Sequence, residues 1–438
     1  MQTLDTLIHA GWIITVNETF DVLPAHAIGI HQGRIVAIEP SQGCQLQANA
    51  VLHLPQHVVM PGLINSHGHA AMSLMRGLAD DLQLMTWLQQ YIWPAEQQHV
   101  DAGFVEDGSL LAITEMLRSG TTCFSDMYFF PDVTARLCES IGMRAQLSFP
   151  IFDIPTNWGA DAEDYLQKGL QVAETLQGSE LVQIALGPHA PYTIGDEALA
   201  KVKQVAGERA LKVQMHLHET AFEVDSAVKE NGQRPLQRLQ QLGLLNRDFQ
   251  AVHMTCLSAD DIQLIAENGC HIIHCPESNL KLASGFCPVQ QCLDAGINVA
   301  LGTDGAASNN DLDMFSEMRT AAMLGKAVAG DATAVSAEQA IRMATINGAK
   351  ALGLDAITGS LKTGKAADII ALDFSGLAQQ PLYNPVSQLV YTNASPLVSH
   401  AWVNGVKQLE NGQLTRIDIN ACRERTQHWQ QTLKPLAG

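Results

Sequence analysis

Five short segments of this chain carry residues able to bind an ion or move a proton: Asn65-Ser66-His67-Gly68-His69, His189, His216-Leu217-His218-Glu219, His253 and Thr303-Asp304-Gly305. Each stands at or just past the end of a short apolar run that reads as a strand. Two histidines at i and i+2 of an extended segment point the same way, so the imidazoles of His67 and His69 can reach one ion. Neutral imidazole is the commonest protein ligand for metals, and His together with a carboxylate suits zinc, iron or nickel. A lone His-x-His pair is more often two ordinary polar residues. The four later segments, all at strand ends, reverse that balance.

A repeated unit positions these residues. Between Val58 and Gly305 a helix-like segment, often closed by Gly, is followed by a short apolar strand with a polar residue at its far end. The strand candidates are Val58–Ser66, Thr121–Asp126, Arg144–Phe149, Val182–Gly187, Lys212–Leu217, Gln250–His253, His271–His274 and Asn298–Gly302. Gly120, Gly142, Gly269 and Gly296 read as helix C-caps, and Asp196 and Ser258 as N-caps. Asp161–Leu176, Asp196–Ala210 and Ser258–Glu267 carry apolar residues at helical spacing. Strands alternating with helices suggest either a parallel (β/α)8 barrel or a doubly wound sheet. A barrel gathers many strand ends around one axis, whereas an open sheet binds in a crevice at its switch point. One shared site for His67, His189, His216, His253 and Asp304 favours the barrel.

The flanks differ. The run from Ala27 to Ile38 alternates and is broken by Gly33, which reads as a hairpin, and residues 366–438 offer strand-like runs at 367–372 and 401–407. The expected organisation is an α/β chain: a TIM-like (β/α)8 barrel over 58–365, and a small β-sandwich built from both chain ends, 1–57 and 366–438.

Composition narrows the function. The chain has 438 residues, 46% of them hydrophobic, enough for a large core. Its net charge of −19 argues against a nucleic-acid partner. No stretch of about 18 apolar residues suggests a membrane span. Met1-Gln2-Thr3-Leu4-Asp5 lacks the basic and apolar blocks of a signal peptide. The nine cysteines include no Cys-x-x-Cys pair, and the spacing of Cys270, Cys275, Cys287 and Cys292 fits no common zinc knuckle. They read as small buried thiols in a reducing compartment, and the chain as cytoplasmic. A homo-oligomer is the default expectation for a soluble enzyme.

Taken together, these motifs resemble the amidohydrolase superfamily in its mononuclear-metal deaminase branch. The likeness spans nearly the whole chain. It rests on Pro61 to His69, His216-Leu217-His218-Glu219-Thr220, Gly302-Thr303-Asp304-Gly305 and Gly359-Ser360-Leu361-Lys362-Thr363-Gly364-Lys365-Ala366-Ala367-Asp368. Within that branch, the stretch from Met72-Ser73-Leu74-Met75-Arg76-Gly77 to Trp93-Pro94-Ala95-Glu96 is similar to the 5′-methylthioadenosine/S-adenosylhomocysteine deaminases. The resemblance implies one divalent metal per chain held by His67, His69, His216 and Asp304. Binuclear relatives carry a bridging lysine at the end of strand four, and Leu181 to Pro191 contains none. Zinc is the first choice; ferrous iron also fits the ligand types.

The activity so implied is hydrolytic deamination of a nucleoside, chiefly 5′-methylthioadenosine, with S-adenosylhomocysteine or adenosine as further substrates. Metal-generated hydroxide attacks the amino-bearing carbon while Glu219 protonates the neighbouring ring nitrogen. Asp304 handles the water's proton, and ammonia leaves. His253 orients the water or stabilises developing charge, His189 contacts substrate, and Glu96 accepts hydrogen bonds from the ribose hydroxyls. An ionised carboxylate suits a cis-diol because it is acceptor-only. His218 and His274 are left outside the ligand set, and Trp87, Trp93 and Phe129 could wall an apolar pocket. The third strand ends Leu147-Ser148-Phe149-Pro150, without an arginine for the carboxylate of S-adenosylhomocysteine, which favours the methylthio arm. Two other readings remain: a relative acting on a free base or chlorotriazine, and a non-catalytic metal-binding barrel. Retention of Glu219 and His253 argues against the latter, because structural sites need no proton shuttle.

Overall fold

A computed structural model describes residues 3–434 of the chain. Among these residues eight strands pair in parallel, in sequence order, around a barrel: Leu63–Asn65, Thr121–Asp126, Arg144–Ile151, Val182–Pro188, Val213–Leu217, Phe249–His253, His271–His274 and Asn298–Leu301. Helices between them cover the outside. The eighth strand meets the first through the Ser66 N–H donating to the Leu301 carbonyl (2.9 Å) and the Asp304 N–H to the His67 carbonyl (3.1 Å). Closure at this seam requires Gly302, since a Cβ there would lie 2.7 Å from the His67 nitrogen. The seam therefore brings Asp304 beside His67 and His69.

The chain ends form a separate mixed sheet of eight strands, in which Leu4–Ile14 runs parallel to Ala48–Pro61 and Ile369–Asp373 antiparallel to it. Ile8, Ile13, Ile28, Ile35, Ile369 and Trp402 fill a core of its own. Val22–His31 and Arg34–Pro40 make the expected hairpin, turning at Gln32 and Gly33 with φ of 48° and 74°.

The glycines at 120, 142, 269 and 296 all have left-handed φ, between 67° and 92°, as helix ends require. Ser258 caps its helix with a capping box. Asp196 does not cap: Gly195 holds that position, and Asp196 is the first helical residue, ion-paired with Arg238 at 2.6 Å. The first strand candidate, Val58–Ser66, is two strands. Residues to Pro61 belong to the end sheet, and at Gly62 the chain changes partners: the Gly62 N–H donates to the Asp368 carbonyl and the Leu63 N–H to the Gly120 carbonyl. A Cβ on Gly62 would collide with the Thr122 side chain at 2.0 Å. Apolar periodicity continues through the switch, so the pattern alone conceals it.

Barrel and end sheet are pinned by a buried ion pair. Arg144 donates from Nε to Asp368 Oδ2 (2.8 Å), from Nη2 to Oδ1 (3.2 Å) and from Nη1 to the Glu180 carbonyl (2.8 Å). Removing one partner strands a desolvated charge. We therefore expect Asp368→Ala to lower unfolding free energy by about 3–5 kcal/mol, read as a fall in the denaturant midpoint; a change within error would show that the pair does not join the two parts. No helix among the described residues is long and apolar enough to cross a membrane.

Candidate active site

The C-terminal strand ends bring His67, His69, His216 and Asp304 together, with one ligand atom from each lying within 4.8 Å of all the others. His67 Nε2 is 3.2 Å from His216 Nε2 and 3.5 Å from Asp304 Oδ1, and His69 Nε2 is 3.1 Å from the same oxygen. Donors placed tetrahedrally around zinc at about 2.0–2.1 Å stand roughly 3.3–3.4 Å apart, so these edges fit an ion of that size.

The tautomers fit as well. Each histidine bonds an acceptor through Nδ1: Gln214 Oε1 for His67 (2.8 Å), the Met127 carbonyl for His69 (2.7 Å) and the His189 carbonyl for His216 (2.8 Å). A ring that donates from Nδ1 presents a lone pair at Nε2, so partners of this kind fix ligand orientation. Two such lone pairs facing each other at 3.2 Å call for a cation between them. Burial drives the pKa of His67 down and that of His216 well down, which favours neutral rings, whereas for His69 burial is outweighed by the contact with Asp304, which raises the pKa to about 9. Burial pushes the Asp304 carboxyl up, but its contacts with His67 and His69 more than reverse this and hold it well below the usual range. Asp304 Oδ2 also accepts from Ser278 (2.6 Å) and Ser308 (2.9 Å), which leaves Oδ1 toward the histidines.

Backbone conformation contributes too. His218, His253 and Asp304 have φ of 50°, 75° and 62°, a region that costs non-glycine residues of order 1–3 kcal/mol each. His253 ends its strand and Asp304 stands just past the last one, and both side chains enter the cleft; His218 follows its strand and turns away from it.

His69, Glu96, His189, His216, Glu219, His253 and Asp304 line a single cleft that opens to solvent, and His67 lies buried behind it. Burial, reinforced by the charge of Asp304, pushes the Glu219 carboxyl up to about 8; it holds a proton at neutral pH. Its oxygen lies 3.9 Å from His253 Nε2, and His253 Nδ1 bonds to Asn279 Oδ1 at 2.9 Å. His189 stacks on Phe152 with centroids 4.7 Å apart and hydrogen-bonds to Thr193. Burial, followed by the neighbouring His69, holds its pKa near 3.

Glu96 also lines the cleft, on a continuous helical segment, Leu84–Trp87, Leu88–Ile92 and Trp93–His99, whose middle turn is a π turn. Pro94 lacks an N–H to continue the α pattern, and such bulges recur at functional sites. Tyr128 donates to Glu96 Oε1 at 2.8 Å, while burial raises the Glu96 pKa to about 7. Trp87, Trp93 and Phe129 do wall the cleft. His218 turns away, bonded to the Cys256 carbonyl and to the Leu236 N–H, and His274 is buried in its strand.

Several supporting residues escape a reading for ligands and bases. Gln214 also donates to the Ser66 carbonyl and to Gln250, and Gln250 to Gln146, so an amide chain crosses the barrel interior beneath His67. Gln214 stands two residues before His216, hence on the same strand face, a signal that was available. Glu223 accepts the backbone N–H groups of His218 and Glu219 (3.0 and 2.8 Å), fixing the turn that aims Glu219. Ser278, Ser308 and Tyr128 come from loops and helix ends, where no period marks them.

Comparison with known proteins agrees with this geometry. Residues 58–407 match the model of the amidohydrolase family. A 5-methylthioadenosine/S-adenosylhomocysteine deaminase of Saccharophagus degradans is 51% identical over 428 residues, covering 97% of this chain and 96% of that protein. A 5′-deoxyadenosine deaminase of Methanosarcina mazei is 40% identical, covering 97% of each chain. The crystal structure of an adenosine deaminase from Xanthomonas campestris with bound zinc superposes with a TM-score of 0.98 at 44% identity, covering 99% of both chains. The chain belongs to the amidohydrolase family and, within it, to the 5-methylthioadenosine/S-adenosylhomocysteine deaminases.

Proposed function

We propose that the protein hydrolytically deaminates adenine nucleosides with a short 5′ substituent, 5′-methylthioadenosine foremost, giving the inosine analogue and ammonia. The observation that carries this reading is the buried Glu219 carboxyl beside the four-donor cluster, with Glu96 lining the same cleft. The names of the curated relatives support the nucleoside, and the zinc of the Xanthomonas campestris structure supports zinc as the metal. His67, His69, His216 and Asp304 would hold it, and a zinc ion so held lowers the pKa of water toward neutrality.

The chain's own groups then divide the proton work. Asp304 takes one proton from the attacking water as its oxygen bonds to the amino-bearing carbon. Glu219 gives its proton to the adjacent ring nitrogen, which removes the double bond at that carbon. His253, donating from Nδ1 to Asn279, offers Nε2 as an acceptor that orients the water. Asp304 returns its proton to the amino group, the carbon–nitrogen bond breaks and ammonia leaves. Glu219 recovers the hydroxyl proton as the carbonyl forms. His189, neutral throughout, contacts the base, and Glu96 binds the ribose hydroxyls.

An ultraviolet assay across adenine, adenosine, methylthioadenosine and S-adenosylhomocysteine tests the reading. The nucleosides should be deaminated well above adenine; comparable kcat/KM for adenine and methylthioadenosine would sink the nucleoside assignment. The proposal includes a homo-oligomer, supported by Leu377 and Tyr383, which are 89% and 90% exposed, and light scattering should give a mass above that of one chain. A cytoplasmic setting is supported by the nine cysteines, none of which is paired.

A further inference from the structure

Gln146, Gln214 and Gln250 are fully buried in the barrel interior, and none is a metal donor or a proton-moving group. Gln214 and Gln250 stand opposite each other on neighbouring strands. The helix Ile346–Leu352 ends where the strands begin, terminated by Gly353 with φ of 73°. The last carbonyls of a helix have no partner within it. Here the Leu352 carbonyl accepts from Gln146 Nε2 (3.2 Å) and Gln183 Nε2 (2.7 Å), and the Ala351 carbonyl from Gln250 Nε2 (2.8 Å).

These floor carbonyls set a direction. A carbonyl oxygen only accepts, so Gln146 turns its Nε2 to Leu352, and its Oε1 is left to accept from Gln250 Nε2 (3.1 Å). Gln250 spends its two amide hydrogens on Gln146 and Ala351, so its Oε1 accepts from Gln214 Nε2 (2.7 Å). Gln214 also donates to the Ser66 carbonyl (3.1 Å), and its Oε1 is left for His67 Nδ1 (2.8 Å). Every bond runs the same way, from ring to floor, an arrangement in which each bond polarises the next. A Gln214 amide turned over would present N–H groups to Nδ1 and drive the ring proton to Nε2, the atom that needs a lone pair to hold a metal.

We propose that the ring orientation and tautomer of the metal donor His67 are set from the barrel floor. Gln214 is the positioning residue in contact with the ring, and Gln250 and Gln146, which hydrogen-bond to no metal donor, fix the way Gln214 faces. The inference rests on the four-donor assignment above and is independent of the substrate. Apolar side chains could fill the same space but would leave Nδ1 without an acceptor. An amide chain that ends on helix carbonyls can lie only one way.

Withdrawing zinc from the holoenzyme with a chromophoric chelator gives the zinc dissociation constant of parent and variants, and thermal unfolding of the stripped proteins gives their stability. Gln214→Met, similar in length but without an acceptor, should bind zinc about 10- to 100-fold more weakly. Gln214→Glu keeps an oxygen at Nδ1, ionised or not, and should hold zinc within a few-fold of the parent or more tightly. Its buried carboxyl should nevertheless make its stripped fold the less stable of the two. Gln250→Met should weaken zinc several-fold without touching any donor. A packing role predicts the opposite order at position 214, with methionine the milder change for zinc as for stability, and that order overturns the proposal. Zinc binding by Gln214→Met indistinguishable from the parent overturns it too, and unchanged binding in Gln250→Met overturns the part assigned to the floor. Should Gln214→Met fail to fold, the Gln250→Met constant decides: a several-fold loss supports the proposal and no loss overturns it. A parent protein that holds no zinc overturns the donor assignment, and this inference with it.

Discussion

Glu219→Gln should retain the metal and lose about 10²- to 10⁴-fold in kcat, the range typical of an acid–base group. The amide matches the carboxyl in shape, so packing against the cleft is kept, and none of the four metal donors is touched. What disappears is the proton. Burial beside Asp304 keeps the Glu219 carboxyl protonated at neutral pH, its pKa pushed up to about 8; a glutamine has no acid proton to give to the ring nitrogen. Because Glu223 grips the backbone at residues 218 and 219 rather than the Glu219 side chain, the substituted side chain should be aimed as before. KM should therefore change far less than kcat. Near-normal turnover in a variant shown to be metal-replete would remove Glu219 from the mechanism.

Glu96→Ala carries the next largest effect, and it should depend on the substrate. Charge-assisted hydrogen bonds contribute about 1.5–3 kcal/mol each, so losing them should lower kcat/KM for nucleosides by roughly ten- to over a hundredfold per bond. Any activity on free adenine, which has no ribose, should barely change. Tyr128 adds a control, because its hydroxyl holds Glu96 Oε1. Tyr128→Phe should weaken nucleoside use less than Glu96→Ala, since the carboxylate remains and only its aim relaxes. Equal losses on adenine and nucleoside in Glu96→Ala would instead mean that Glu96 supports the helical segment it sits on.

The barrel was legible because its signals are local. A strand that ends in a polar residue, a helix that ends in Gly and a short loop recur along the chain, and each is a consequence of backbone geometry. The donor set was legible for a related reason: His67 and His69 share one face of an extended segment, and the other donors stand at equivalent strand ends. The residues that support the site were harder to see. Gln146 and Gln250 occupy strand positions where an apolar side chain is the usual expectation, and their use appears only when the barrel brings them into one amide chain with Gln214. Glu223 has the sequence context of any glutamate opening a helix, and only the folded chain brings its oxygens to the turn before it. The exchange of partners at Gly62 depends on the arrival of Asp368 from more than three hundred residues away, and no local pattern encodes that contact.

The most direct test of the account is to run the metal-replete enzyme on 5′-methylthioadenosine in water enriched in oxygen-18 and to analyse base, sugar and ammonia together. The account requires an intact nucleoside product carrying one labelled oxygen where the amino group stood, with one ammonia released per product. Free adenine, or a product without solvent oxygen at that carbon, would contradict it.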